Sequence, residues 1–278
     1  NTFRFLLGNL SDFDDQANAV SNWDDLEPID QYMMAKTAQL LADVEQAYDS
    51  FKFNGVYRAV YDFVNDLSSV YMDVTKDRLY SESPDSPRRR AVQTVLFNIL
   101  EVLVRVLSPI LSFTADEVWE CYPEVMRNRE GRVCNVQLAG WPHRSDFVPA
   151  LPGKQAEEKV LTAFGGALEV RDVVTKALED ARGAKVINKS QEATVSVTAP
   201  QATLDVLSAF DASVFEELFI VSGVTFAVGD ELACEVKPAE GDKCPRCWNY
   251  RELGGNANHA DVCQRCGDAL DAIGFTEE

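Results

Sequence analysis

Four cysteines carry the clearest chemistry in this chain. Cys244-Pro245-Arg246-Cys247 is followed by 15 residues and then by Cys263-Gln264-Arg265-Cys266. Each C-x2-C pair offers two sulfurs about one tight turn apart, and two such pairs make a four-thiolate tetrahedron. The pairs could also close as two disulfides or hold iron. Spacing and the lack of a basic-then-apolar leader favour one structural Zn2+ in a reducing compartment. Four sulfurs close the shell, so no position is left for a reacting water and the ion is expected to be a scaffold. Gly267 is expected to give the second knuckle a positive φ, with Trp248 at the matching place after the first pair. The segment around the pairs holds few large aliphatics, so the metal is expected to supply most of its folding free energy. His259 is a spare ligand at most, and Cys121, Cys134 and Cys234 are expected to be buried as small apolar residues.

The loops that this knot would present contain Arg246, Trp248, Asn249, Tyr250, Arg251 and Arg265. Guanidinium groups beside aromatic faces suit phosphate contact and base stacking. A second basic patch is Arg182, Lys185 and Lys189, and a third is Arg88-Arg89-Arg90 at a helix start, where positive charge is mildly unfavourable. These patches stand out because the chain is acidic: 26 Lys+Arg against 45 Asp+Glu, a net charge of −19. Phosphate binding is driven by cations, so any nucleic-acid contact must be confined to them and be weak and salt-sensitive. No Gly-rich phosphate loop, G-x-S-x-G or H-E-x-x-H occurs. The two histidines, His143 and His259, are far apart, and nothing legible performs acid–base or covalent chemistry.

The elements that must position these residues change character along the chain. Apolar residues recur at helical spacing in Phe3–Leu10, in 28–52 (Met34, Ala38, Leu41, Val44), in 56–74 and in 91–106. Pro28 suits a first helical turn, and Thr114-Ala115-Asp116-Glu117 reads as a capping box. Tyr32, Tyr48, Phe51, Tyr57, Tyr61 and Phe63 fall on or beside these stripes and are expected in the core. Residues 127–153 are irregular. Beyond them Glu157–Ala181 is helical, Ala193–Ala199 alternates as a strand, and 224–228 and 232–236 read as strands of a hairpin turned at Gly229-Asp230. The expected fold is mainly α: a helical bundle (1–150), a small α+β domain (151–240) and a four-cysteine zinc ribbon with its tail (241–278). No apolar run reaches the roughly 18 residues needed to span a bilayer. The chain opens Asn1-Thr2 without Met and reads as cut from something larger.

Four stretches, Asn1–Leu10 (NTFRFLLGNL), Ser108–Glu120 (SPILSFTADEVWE), Lys185–Ala193 and the Cys244–Cys266 ribbon, together resemble the C-terminal part of bacterial-type isoleucyl-tRNA synthetases. The resemblance covers essentially the whole chain. It implies an anticodon-binding bundle, a junction domain and a zinc ribbon, in a cytoplasmic ligase that joins isoleucine to its tRNA with ATP. It implies an isoleucine-accepting tRNA as partner, no membrane, and a monomer. The family's two ATP-site signatures, a His-x-Gly-His type and a Lys-Met-Ser-Lys-Ser type, are missing. The catalytic and editing domains are therefore expected upstream, and this fragment is expected to be inactive alone. Candidate tRNA contacts are Arg88, Arg89, Arg90, Arg182, Lys185, Lys189, Arg246, Trp248, Arg251 and Arg265. Asn188 stands where the family usually has Gly, and Asn tolerates positive φ. Two alternatives from other classes are a formamidopyrimidine-type DNA glycosylase, which shares the ribbon type, and a helical scaffold that binds no nucleic acid.

Overall fold

The computed structural model describes residues 1–276. The chain forms two compact units: Asn1–Asp73 with Asp85–Leu161, and Val74–Pro84 with Thr162 onward.

The first unit is a helical bundle. Helix α1 (Thr2–Asn9) buries Leu6, and α2 (Pro28–Asp49) starts on Pro28, whose missing N–H would be unpaired there in any case. Helix α3 (Phe53–Asp66) passes through a π-turn at Leu67–Tyr71 into the single turn α4 (Met72–Val74). The π-turn keeps Leu67 and Tyr71 both inward, and the Tyr71 hydroxyl donates to the fully buried Asp30 carboxylate at 2.7 Å. The short helix α5 (Lys76–Ser81) belongs to the second unit. Helix α6 (Pro87–Leu107) is the bundle's centre: Ala91, Val92, Val95, Leu96, Ile99, Leu100 and Val104 are wholly enclosed. A helix apolar on so many sides must be surrounded by other elements. Its buried amides, Gln93 and Asn98, are tied to backbone elsewhere in the unit. Gln93 donates to Asn9 O and Asp12, and Asn98 holds the backbone of Val148 through both its amide atoms.

Helix α7 spans Ser112–Glu120 and the short α8 spans Glu124–Arg127. The capping box expected at Thr114 does not form. The Ala115 N–H already donates to Leu111 O, so the helix begins earlier and Thr114 lies inside its first turn. Phe51, Tyr57 and Tyr61 are exposed, contrary to expectation, whereas Phe63 is buried. Cys121 and Cys134 are exposed as well, and Cys234 is half-buried.

The long helix α9 (Lys154–Gly183) begins in the first unit and continues in the second from Thr162, leading to strand β1 (Ala193–Ala199), then α10 (Gln201–Leu207), α11 (Ala212–Phe219), β2 (Gly223–Val228) and β3 (Ala233–Pro238). The sheet order is β2-β1-β3, with β1 parallel to β2 and antiparallel to β3. The expected β2–β3 hairpin is therefore absent: the β-branched, alternately buried β1 takes the central place. Gly229 is needed for a close approach, since a Cβ there would sit 2.2 Å from Thr198 Cγ2. The ribbon follows, with β4 (Asp242–Lys243) antiparallel to β5 (Tyr250–Arg251), and ends in α12 (Gln264–Ala272).

Candidate metal centre and nucleic-acid interface

Cys244 begins directly after β4, and its N–H donates to Asn249 O while its own carbonyl accepts from Trp248 N–H. These two bonds close the first knuckle. They force Trp248 to φ 66°, the left-handed region that a bulky residue rarely occupies. The second pair is built differently. Cys263 caps α12, so Cys266 and Gly267 are helical. Gly267 does not take a positive φ as expected. It is small because Asn256 lies against it, 2.4 Å from where a Cβ would be. Asn256 in turn donates to Asp268 and Asp271, which ties the spacer loop to α12.

The four Sγ atoms lie within 4.8 Å of one another, and all four residues are buried. Cys247 Sγ and Cys263 Sγ are 3.8 Å apart, too far for a disulfide. Metal–sulfur bonds of about 2.3 Å in a tetrahedron space the sulfurs by about 3.8 Å, so the donor set fits a zinc-sized ion. The charges agree with this. The Cys247 thiol is pulled down to about 4, first by a hydrogen bond from Cys266 and against the cost of burial. Cys266 is pushed up by that same bond and by burial, and Cys263 is raised by burial and by the Cys247 charge. The bare cluster accepts one thiolate and resists further ones; a divalent cation reverses that resistance. His259 is buried but stands outside the sulfur cluster, 3.4 Å from Asp271.

Val262, Leu253 and Leu270 pack on the sulfurs. The remaining support is polar. Arg265 forms a two-pronged pair with Asp77 (2.9 Å for Nη2–Oδ1) and lies 3.9 Å from Glu82. Arg246 donates to Ser81 O and reaches the Cys266 sulfur. Arg78, fully buried, pairs with Glu217 at 2.5 Å. Segment Val74–Pro84 is thus a strap clasped by the ribbon and by α11. The polar pairs that do this join residues far apart in sequence, so no local spacing marks them.

The ten basic and aromatic candidates fall into three settings. Arg182 ends α9 and donates to Ser190 Oγ, Lys185 follows with φ 59°, and the Lys189 ammonium sits 4.0 Å over the ring of Trp248. Lys243 approaches the same ring at 5.6 Å. The second basic patch and the ribbon tryptophan, separate in sequence, therefore form one surface. Trp248 is 47% exposed. The left-handed turn residue here is Lys185, and Asn188 instead binds Glu192 through its N–H and its amide. In the second setting, Arg246 and Arg265 are spent on the strap, and Arg251 lies 3.7 Å from Glu216. In the third, the first turn of α6 is neutralised by its own unit. Arg88 pairs with Glu27, Arg89 with Asp12 through both nitrogens, and Arg90 with Asp85 and Gln93.

Two families match this sequence. The anticodon-binding domain of tRNA ligase matches residues 30–197, and the zinc finger found in FPG and IleRS matches residues 241–268. Among curated relatives, an isoleucine–tRNA ligase of Geobacillus kaustophilus is 42% identical over 282 residues, covering 96% of this chain and 29% of that protein. That of Thermotoga maritima is 37% identical over 275 residues (96% and 28%), and that of Kosmotoga olearia 36% over 288 (100% and 30%). The chain therefore spans less than a third of the length of these relatives. Among the described residues no helix is long and apolar enough to cross a membrane.

Proposed function

The chain belongs to the anticodon-binding domain family of tRNA ligases, and from that membership we propose that it is the anticodon-arm-binding region of an isoleucine–tRNA ligase. The longer protein would be a cytoplasmic class I enzyme that joins isoleucine to its tRNA with ATP. This region supplies binding and no chemistry, in keeping with the absence of the family's ATP-site signatures from its sequence. It acts as a monomer, with the catalytic and editing domains elsewhere in the longer chain.

The observation that carries the reading is the Lys189–Trp248 pair. A half-exposed indole with one cation over its ring, and Arg182 and Lys185 on the adjoining connector, can hold an unpaired base by stacking while the ammonium and guanidinium groups meet its phosphates. Cys244, Cys247, Cys263 and Cys266 hold a single structural zinc, which fixes the knuckle that carries Trp248. The ion's chemistry is limited to gathering four thiolates. Arg246 and Arg265 serve the reading indirectly, by bracing the ribbon on the strap. Arg88, Arg89 and Arg90 reach RNA only by exchanging their carboxylate partners for phosphates, so they contribute little. Arg251 stands between these cases, with one long ion pair to exchange.

The zinc finger type is shared with DNA glycosylases of the formamidopyrimidine class, but a long helical bundle has no role in gripping a duplex through that ribbon. The net charge of −19 favours a scaffold that binds no nucleic acid, and the same experiment decides it. In a gel-shift titration the chain should bind isoleucine tRNA more tightly than an unrelated tRNA, with binding that weakens as salt is raised. Equal affinity for the two removes the recognition claim, and no binding to either leaves the scaffold. Elemental analysis should return one zinc per chain.

A further inference from the structure

The α2–α3 corner carries an aromatic surface that the preceding reading leaves unused. Phe51 is 80% exposed, Phe53 53%, Tyr57 65% and Tyr61 54%. Phe53, Tyr57 and Tyr61 recur every fourth residue, so they line one face of α3. The Tyr57 and Tyr61 rings stack, with centroids 5.8 Å apart and planes 25° from parallel. At the corner the rings meet edge to face: Phe51 with Phe53 at 6.5 Å, and Phe53 with Tyr48 at 6.0 Å. Tyr48 is fixed from below by Trp141 and by its hydroxyl bond to Val106 O. Phe51 has a left-handed backbone, φ 55°, in the turn that closes α2, where its N–H donates to Tyr48 O and the Lys52 N–H to Ala47 O.

Solvent-facing rings of this number need an occupant. The charge around them selects one. Asp and Glu make up 45 of 278 residues, yet Ser50–Tyr61 contains none and includes Lys52 and Arg58, both exposed. Acids resume at Asp49 and Asp62, so the acid-free stretch of sequence is the one that carries the rings. Aromatic faces with flanking cations and no carboxylate are the composition that receives single-stranded nucleic acid, because every base has a stackable face and every nucleotide a phosphate. A protein contact would be expected to exclude Lys52 from its centre.

We propose that Phe51, Phe53, Tyr57 and Tyr61 form a stacking platform for unpaired bases of an RNA loop, with Lys52 and Arg58 on the phosphates. This rests on the anticodon-arm reading above and supplies the bundle with a binding surface of its own, distinct from the Trp248 surface of the second unit.

The test uses the whole chain and a hairpin RNA of the isoleucine tRNA anticodon arm, with 2-aminopurine placed at each loop position in turn. Stacking on a ring quenches the probe. Tyr57→Leu/Tyr61→Leu and Phe51→Leu/Phe53→Leu keep the apolar area and remove the rings. Each pair should bind about 5- to 100-fold more weakly and restore fluorescence at one or two loop positions. Tyr57→Phe should keep wild-type behaviour, and Phe113→Leu, at an exposed ring off this face, should change nothing. Circular dichroism should be unaltered in all of them, since these side chains lie outside the core. If the leucine variants bind and quench like wild type, the platform is wrong and the face belongs to a protein contact, while the anticodon-arm reading stands. If wild-type chain binds no hairpin and no full tRNA, that reading fails and the platform fails with it.

Discussion

The bundle and the ribbon solve the same problem with opposite materials. In the bundle, α6 is enclosed on nearly every side by aliphatic side chains, and its buried amides Gln93 and Asn98 bond within the unit. In the ribbon, four sulfurs take the place of the core, with three aliphatic residues beside them. The first arrangement distributes stability over many small contacts, and no single one is decisive. The second concentrates it in one ion and a handful of charge pairs. A region held by distributed packing degrades gradually, whereas one held by coordination is intact or lost.

Metal removal should separate the two most widely. A strong chelator, or Cys266→Ser, should abolish amide protection across 240–270 and leave the far-UV helical signal of the bundle in place. The apparent folding free energy lost is about 10–16 kcal/mol near neutral pH. Because the ligands must be deprotonated, metal affinity should fall as pH is lowered. Truncating a wholly buried leucine of α6, Leu96→Ala, should do the converse: a loss of about 2–5 kcal/mol in the bundle by denaturant titration, with zinc content unchanged.

Between these extremes lies the strap. Asp77→Asn removes a carboxylate from a partly buried Arg265 and should cost about 1–3 kcal/mol of ribbon stability, read as faster metal release to a chelator. A double-mutant cycle with Arg265→Gln should show coupling if the pair acts as a unit. On the ribbon's outer face, Trp248→Ala should weaken tRNA binding by about 1–3 kcal/mol with full zinc occupancy, and Lys189→Gln by somewhat less. The smallest effect belongs to Asp12. Burial raises its pKa, but hydrogen bonds from Arg89 and Gln93 and the charges of Arg89 and Arg90 outweigh this, so the net shift is downward. A depressed carboxylate stabilises above its unfolded value and loses that contribution as pH falls through its folded value. Asp12→Asn should therefore destabilise the bundle by under about 1 kcal/mol at neutral pH, and the gap to wild type should close below the ordinary carboxylate range.

Periodicity and short-range spacing carried much of this structure. The helical stripes located α1, α2, α3 and α6, and alternation located β1 to the residue. The C-x2-C pairs located four sulfurs that the fold gathers. Misreadings arose where a neighbour in space decides the outcome. Tyr57 and Tyr61 sit one residue past Val56 and Val60, which on a helix is a turn of about 100°, enough to leave the core. The β2–β3 turn looked like a hairpin because nothing local reveals that β1 will insert between the two strands. Gly267 does not take the left-handed backbone expected of it, while Trp248 at the matching place does, since α12 begins at Cys263 and makes the second knuckle helical. Arg246 and Arg265 looked free for phosphate because their partners, Ser81 and Asp77, lie 165 and 188 residues earlier.

That separation also sets a timetable for synthesis. Asp77 leaves the ribosome 188 residues ahead of the guanidinium that will hold it. At about 5–20 residues per second, translation keeps α5 waiting roughly ten to forty seconds while helices on either side of it condense. Expression of Thr162 onward by itself would omit α5 altogether, leaving two ribbon arginines to be repaired by water.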